Sequence, residues 1–133
     1  MDEIDLLLEK AESKLNSARI LFEKGVYDDA ISRAYYCMYY AAKAILCLKE
    51  RYPRTHRGVL AQFGLEFVKT GIIEEYYAKA IVTAHERRER ADYDIHYKPS
   101  KEEAESIIED AERFLDRIKK AIDELRKQSG GNK

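Results

Sequence analysis

Ser32-Arg33-Ala34-Tyr35-Tyr36-Cys37-Met38-Tyr39-Tyr40-Ala41-Ala42-Lys43-Ala44 is the stretch that decides the fold. It lies within a run from Ala30 to Leu48 that is apolar on almost every side at helical spacing. A helix that is apolar all round must be surrounded by other helices, so this segment, about 28–50, is expected at the centre of an all-α domain with Asp28 as its N-cap. Tyr35, Tyr36, Tyr39 and Tyr40 span about 140° of its surface at 100° per residue. Lys43 falls inside that arc and Arg33 at its edge. Such tyrosines are most simply core or core-edge residues. They could also form a dimer face, or a wall on which bases stack, with Tyr36 and Tyr40 as the candidate contacts.

On either side the helical period continues. Ile4, Leu7, Leu8, Ala11, Leu15, Ala18, Leu21 and Phe22 mark a first helix over about 2–24, ended by Gly25. Val59, Leu60, Phe63, Phe67 and Val68 mark a short helix over about 56–70, ended by Gly71. A fourth helix runs from about Glu74 to the low 90s, because Pro99 disfavours continuation. The fifth opens with Ser100-Lys101-Glu102-Glu103, a capping box. It then carries one long stripe from Ala104 to Leu125, with acids early and bases late, as the helix dipole favours. The expected fold is an antiparallel up-and-down four-helix bundle with one additional short helix. Residues 1–128 form a single domain, and 129–133 are expected to be a flexible tail.

Composition narrows the function classes. With 24 basic and 25 acidic residues the net charge is −1, so any binding of nucleic acid must come from a local patch. No apolar run approaches the roughly 20 residues of a membrane span. The acidic start Met1-Asp2-Glu3-Ile4-Asp5 is unlike a signal peptide. Cys37 and Cys47 would lie about 15 Å apart along one helix, too far for a disulfide, which fits free thiols in a reducing cytoplasm. No Cys/His spacing suits zinc, and no Gly-rich phosphate loop is present; no metal or cofactor is expected. A charged content of 37% with only four Asn and Gln residues leans towards a thermophilic source.

Several stretches together resemble the HEPN superfamily (higher eukaryotes and prokaryotes nucleotide-binding), in particular its small stand-alone prokaryotic branch. They are the tyrosine-rich helix above, Thr55-His56-Arg57-Gly58-Val59, Phe63-Gly64-Leu65-Glu66-Phe67-Val68-Lys69-Thr70-Gly71, and Arg88-Glu89-Arg90-Ala91-Asp92-Tyr93. The resemblance spans roughly residues 5–125. It implies a HEPN-like bundle, often a homodimer. It also implies two activities: metal-independent endoribonuclease, in several cases a toxin paired with a nucleotidyltransferase antitoxin, or non-catalytic nucleotide, RNA or protein binding. The family's nuclease motif is an arginine, four to six residues, then a histidine, often with a tyrosine shortly after. Arg90 and His96 fit that spacing, whereas the Arg-x-x-Ala-Asp-Tyr pattern is led by Arg88; both arginines are candidates, and the resemblance implies Tyr97 as the counterpart of the motif tyrosine.

The chemistry suits these residues. RNA cleavage needs a base for the 2′-hydroxyl, which an imidazole supplies near neutral pH, and a cation for the phosphorane, which a guanidinium holds with two parallel bonds. His96, Arg90 and Arg88 are therefore the candidate catalytic residues, with Arg87, Tyr93, Tyr97, Arg57 and His56 as candidate binding residues. On a continuous helix Arg90 and His96 would point about 120° apart, so they converge only if the helix ends first or a second subunit contributes. A plain structural reading also fits, with Arg88–Asp92 and Arg90–Asp94 as i, i+4 ion pairs. His85 is expected to be structural. Lys49, Arg51, Arg54 and Arg57 against Glu50 give residues 49–57 a net charge of +3, and this segment would join 87–97 in one anion-binding patch if the two meet.

Overall fold

The structure, a computed structural model, describes residues 2–131. Four long helices, α1 (Glu3–Glu23), α2 (Tyr27–Leu46), α4 (Glu75–Tyr93) and α5 (Lys101–Gly131), form an up-and-down bundle, with the short α3 (His56–Phe63) set against it. The all-helical reading holds, and α2 is the central helix, packing on α1, α3, α4 and α5. Its alanines and Ile31, Tyr35, Cys37, Met38 and Ile45 are fully buried. Ala11 and Ala18 of α1 are fully buried too, and such small side chains let backbones approach closely.

The α1–α2 turn is short because Gly25 adopts φ +77°, where a Cβ would be strained. Val26 N–H reaches back to the Leu21 carbonyl at 2.9 Å and Gly25 N–H to that of Phe22 at 3.0 Å, a Schellman closure. Asp28 is not the cap of α2. Val26 occupies that position without a side-chain bond, and Asp28 and Asp29 lie in the first turn, where carboxylates meet the positive end of the dipole.

The α-helical part of α2 stops at Leu46, earlier than periodicity implies, and a single 3₁₀ turn, Cys47–Lys49, follows. Glu50 then takes a left-handed conformation, φ 54° and ψ 40°, which turns the chain into the 51–54 loop. Thr55 caps α3, its Oγ1 accepting from Gly58 N–H at 2.9 Å. A π-helical turn, Gly64–Val68, continues α3, and buried Phe63 and Phe67 are both held in the core.

Only half of the expected capping box forms. Ser100 Oγ accepts from Glu103 N–H at 3.1 Å, but the Glu103 carboxylate instead accepts from the Tyr97 hydroxyl at 2.6 Å. α5 continues as helix to Gly131, through part of the stretch expected to be a tail; Asn132 and Lys133 lie outside the described residues. Lys119–Glu12 at 2.6 Å and Arg126–Asp2 at 2.7 Å tie α5 to α1.

Candidate functional site

α4 ends at Tyr93, and its last two turns present His85, Arg88, Glu89 and Asp92 at i, i+3, i+4, i+7 spacing, which is one helix face. That face meets the tyrosines of α2 and the start of α3. Together they line an open groove of about 600 Å³ bounded by Tyr36, Thr55, His56, Arg57, Arg88 and Tyr93. Arg57, His85 and Glu89 also border an adjoining depression of about 530 Å³ that includes Arg87 and Arg90. The two basic segments of the sequence therefore meet in space.

Arg88 forms the floor. It is 7% exposed, the one buried charged residue among those described. Its guanidinium lies over the rings of Tyr35 and Tyr36, at 5.2 and 5.5 Å from their centroids. Nη1 donates to Asp92 Oδ2 at 3.3 Å, while Nε is buried without a partner. The other oxygen of Asp92 accepts from Ser32 Oγ at 2.8 Å, so one carboxylate links α2 to α4 and orients the arginine. This gives the Arg-x-x-Ala-Asp-Tyr pattern a physical reason: Arg88 and Asp92, four apart, face each other, and Tyr93 follows onto the rim.

His56 sits at the first position of α3, with Nδ1 2.7 Å from the Tyr35 hydroxyl. Its ring stacks on Tyr39 at 4.4 Å and faces His85 at 5.9 Å. Burial holds the His56 imidazole below the ordinary histidine range, and the charge of Arg88 pushes the same way. His85 is also lowered, first by burial, although Glu89 opposes this from 2.6 Å. Nδ1 of His85 is buried without a partner. Burial raises Tyr35 above its ordinary range, so its hydroxyl stays protonated. The site thus combines two neutral imidazoles with a fixed cation.

The remaining sequence candidates divide. Arg57, Tyr36 and Tyr93 line the groove, with Tyr93 78% exposed at its rim. Tyr40 lies off it, its ring 5.5 Å from the Lys10 ammonium. Arg87 and Arg90 border the adjoining depression. Arg90 is not paired with Asp94; its guanidinium lies 4.5 Å from the centroid of Tyr97, whose hydroxyl is pushed up to about 12 by burial and by Glu103. His96 stands exposed on the 94–100 connection. Its backbone N–H donates to Asp94 Oδ1 at 2.9 Å, and among the described residues no bond or ring contact joins its imidazole to Arg90.

Sequence reasoning placed Tyr35 and Tyr39 in the tyrosine arc without singling them out, and missed His85, Glu89 and Ser32 as members of the site. His85 was separable from an ordinary core histidine by its spacing to Arg88, three residues on. No group of three or more metal-ligating side chains occurs among the described residues, and no helix among them is long and apolar enough to cross a membrane.

Comparison with known proteins places this geometry in context. A family model described as "HEPN domain" matches residues 4–122. A Methanocaldococcus jannaschii protein named "Putative toxin MJ0605" is 50% identical over 124 residues, covering 93% of this chain and 92% of its own. A second from the same organism, named "Putative toxin MJ0142", is 41% identical over 120 residues, covering 90% and 82%. Among solved structures, ST0689, titled an archaeal HEPN homologue, superposes with a TM-score of 0.72 at 19% identity, covering 92% of this chain and 99% of that one. TT1696 from Thermus thermophilus gives 0.77 at 17%, covering 91% and 99%. At such identities these two structures speak for the fold alone.

Proposed function

The chain belongs to the HEPN-domain family, and from that premise we propose that it is a metal-independent endoribonuclease, the toxin of a pair with a nucleotidyltransferase antitoxin. The observation that carries this reading is Arg88: a buried guanidinium with an unpartnered Nε, at the floor of a groove that also holds a neutral histidine. A buried cation with unused donors is suited to a phosphodiester.

In this reading Arg88 holds the scissile phosphate. His56, with Nδ1–H directed at the Tyr35 oxygen, uses Nε2 to take the proton of the 2′-hydroxyl. The 2′-oxygen bonds to phosphorus, the bond to the 5′-oxygen breaks, and the products are a 2′,3′-cyclic phosphate and a 5′-hydroxyl. The leaving 5′-oxygen takes its proton from solvent in the open groove, because the neutral His85 ring, with Nε2 held by Glu89 and Nδ1 buried, has none to give. Tyr93 on the groove rim and Ile95 two residues further along the chain, 78% and 88% exposed, offer apolar surface that a second copy would cover, which supports a homodimer. Free thiols suit a cytoplasmic setting.

The test is cleavage of single-stranded RNA in chelator. His56→Ala and Arg88→Ala are expected to lose at least about 100-fold, the usual scale for a general base, while His96→Ala retains activity. Loss in His96→Ala alone would transfer the base to the Arg90–His96 spacing. The second reading, a non-catalytic nucleotide- or RNA-binding or protein-interaction module, is favoured by the Arg88–Asp92 pair, which already uses part of the cation's charge. Binding without cleavage in the wild-type protein selects it.

A further inference from the structure

We propose that a second pocket, between the start of α1, the end of α2 and the 51–54 loop, is an RNA subsite for a nucleotide neighbouring the one seated on Arg88. This rests on the reading of the groove as an RNA site and extends it to single-stranded substrates that reach past the groove.

The pocket measures about 310 Å³, the lower end of the range for small-ligand sites. Lys43, Arg51 and Arg54 line it against one carboxylate, Glu3. Arg51 is engaged by Glu66 at 3.3 Å, and Arg54 is exposed. Tyr52, also lining it, is 61% exposed. A basic pocket with an exposed aromatic ring is the combination that single-strand binders use: cations track phosphates, and bases of any identity stack on the ring. Bases paired in a duplex have no free face to offer Tyr52.

The pocket and the groove are lined by consecutive residues of one loop. Arg54 lines the first and Thr55 the second, and their Cα atoms are about 3.8 Å apart as chain neighbours. Buried Tyr39 stands between a residue of each: the Lys43 ammonium lies 5.5 Å from its ring, and that ring stacks on His56 at 4.4 Å. A strand that advances about 3.4 Å per nucleotide, or more when unstacked, crosses from one to the other within a few nucleotides. The loop is also held in place. Pro53 restricts it, the left-handed Glu50 sets its entry, and the Arg51 N–H bonds to the Leu46 carbonyl at 3.1 Å.

The experiment measures binding of a labelled single-stranded 12-mer and of a trinucleotide, both 2′-O-methylated to block cleavage, in chelator. For the 12-mer, Tyr52→Ala is expected to weaken binding about tenfold, and Arg54→Ala to make the log–log salt dependence shallower by about 0.7. Neither variant changes trinucleotide binding, whereas Arg88→Ala weakens both ligands. Both pocket residues are exposed, so the variants keep the fold. A label-free readout uses Cys47, which lines the pocket: the 12-mer slows its alkylation at pH 9 and the trinucleotide does not, with Cys37 buried and silent. Wild-type affinity for the 12-mer in both variants, or equal alkylation rates with and without it, overturns the subsite and leaves the groove standing. Failure of the wild-type protein to bind either ligand overturns both.

Discussion

The Tyr35 hydroxyl and His56 Nδ1 lie 2.7 Å apart across the interface of α2 and α3. Tyr35 is fully buried, so the contact fixes the orientation of a ring whose other nitrogen is left for the groove. Tyr35→Phe keeps the aromatic volume and removes only this bond. We expect cleavage to fall about threefold to tenfold, matching the roughly 0.5–1.5 kcal/mol of a neutral hydrogen bond, with little change in melting temperature. Steady-state rates with a fluorogenic RNA check the first part, and calorimetry the second.

Folding stability should decline in mild acid. Burial lowers the folded-state proton affinity of both His56 and His85. Below the unfolded value near 6.5 the unfolded chain binds protons that the folded chain refuses, so stability is complete above about pH 6.5 and falls as pH drops beneath it. Replacing both histidines with glutamine should flatten the melting temperature between pH 7.5 and 5. A drop as steep as that of the wild-type protein would assign the effect to other groups.

Two substitutions near the site should act in opposite directions. A Cβ on Gly58 would stand 2.9 Å from Thr55 Oγ1 and 3.2 Å from Pro53 Cβ. Gly58→Ala therefore disturbs the α3 cap and the loop beside it, and we expect a loss of about 1–2 kcal/mol despite better helix propensity. Glu50 holds a positive φ with a side chain that opposes it. Glu50→Gly relieves that strain and should stabilise the protein by about 0.5–1 kcal/mol. Urea titration measures both.

The pairs Arg126–Asp2 and Lys119–Glu12 lie between α1 and α5 and are partly exposed. Arg126→Ala should cost no more than about 1 kcal/mol, and the difference from wild type should shrink in 1 M salt, where exposed charges are screened. An unchanged difference would point to packing of the arginine stem instead.

The bundle was readable because helical periodicity reports directly on burial: the run from Ala30 to Leu48 could only be central. Helix ends were less readable. Whether Asp28 caps α2 depends on where the Gly25 turn releases the chain, and whether Glu103 closes a capping box depends on Tyr97, which competes for the same carboxylate. The site was half visible. Arg88, His56 and Arg57 were marked by composition, but their meeting depends on the path of the 50–55 loop, which a left-handed glutamate sets and no periodicity reports. His96 drew attention through linear spacing, yet α4 ends three residues before it and leaves it exposed. His85, mid-helix, reads as core until Arg88 is known to lie below it.

The tyrosines of α2 have an optical consequence. The chain has no tryptophan and ten tyrosines, so its near-ultraviolet absorption and emission come almost wholly from phenol rings. Tyr35, Tyr36 and Tyr39 all have ring centroids between 4.4 and 5.7 Å from that of His56. Charge or a stacked base arriving there changes the polarity around several of the protein's own chromophores at once. Occupancy of the groove can therefore be followed by ultraviolet difference spectroscopy on the unlabelled protein.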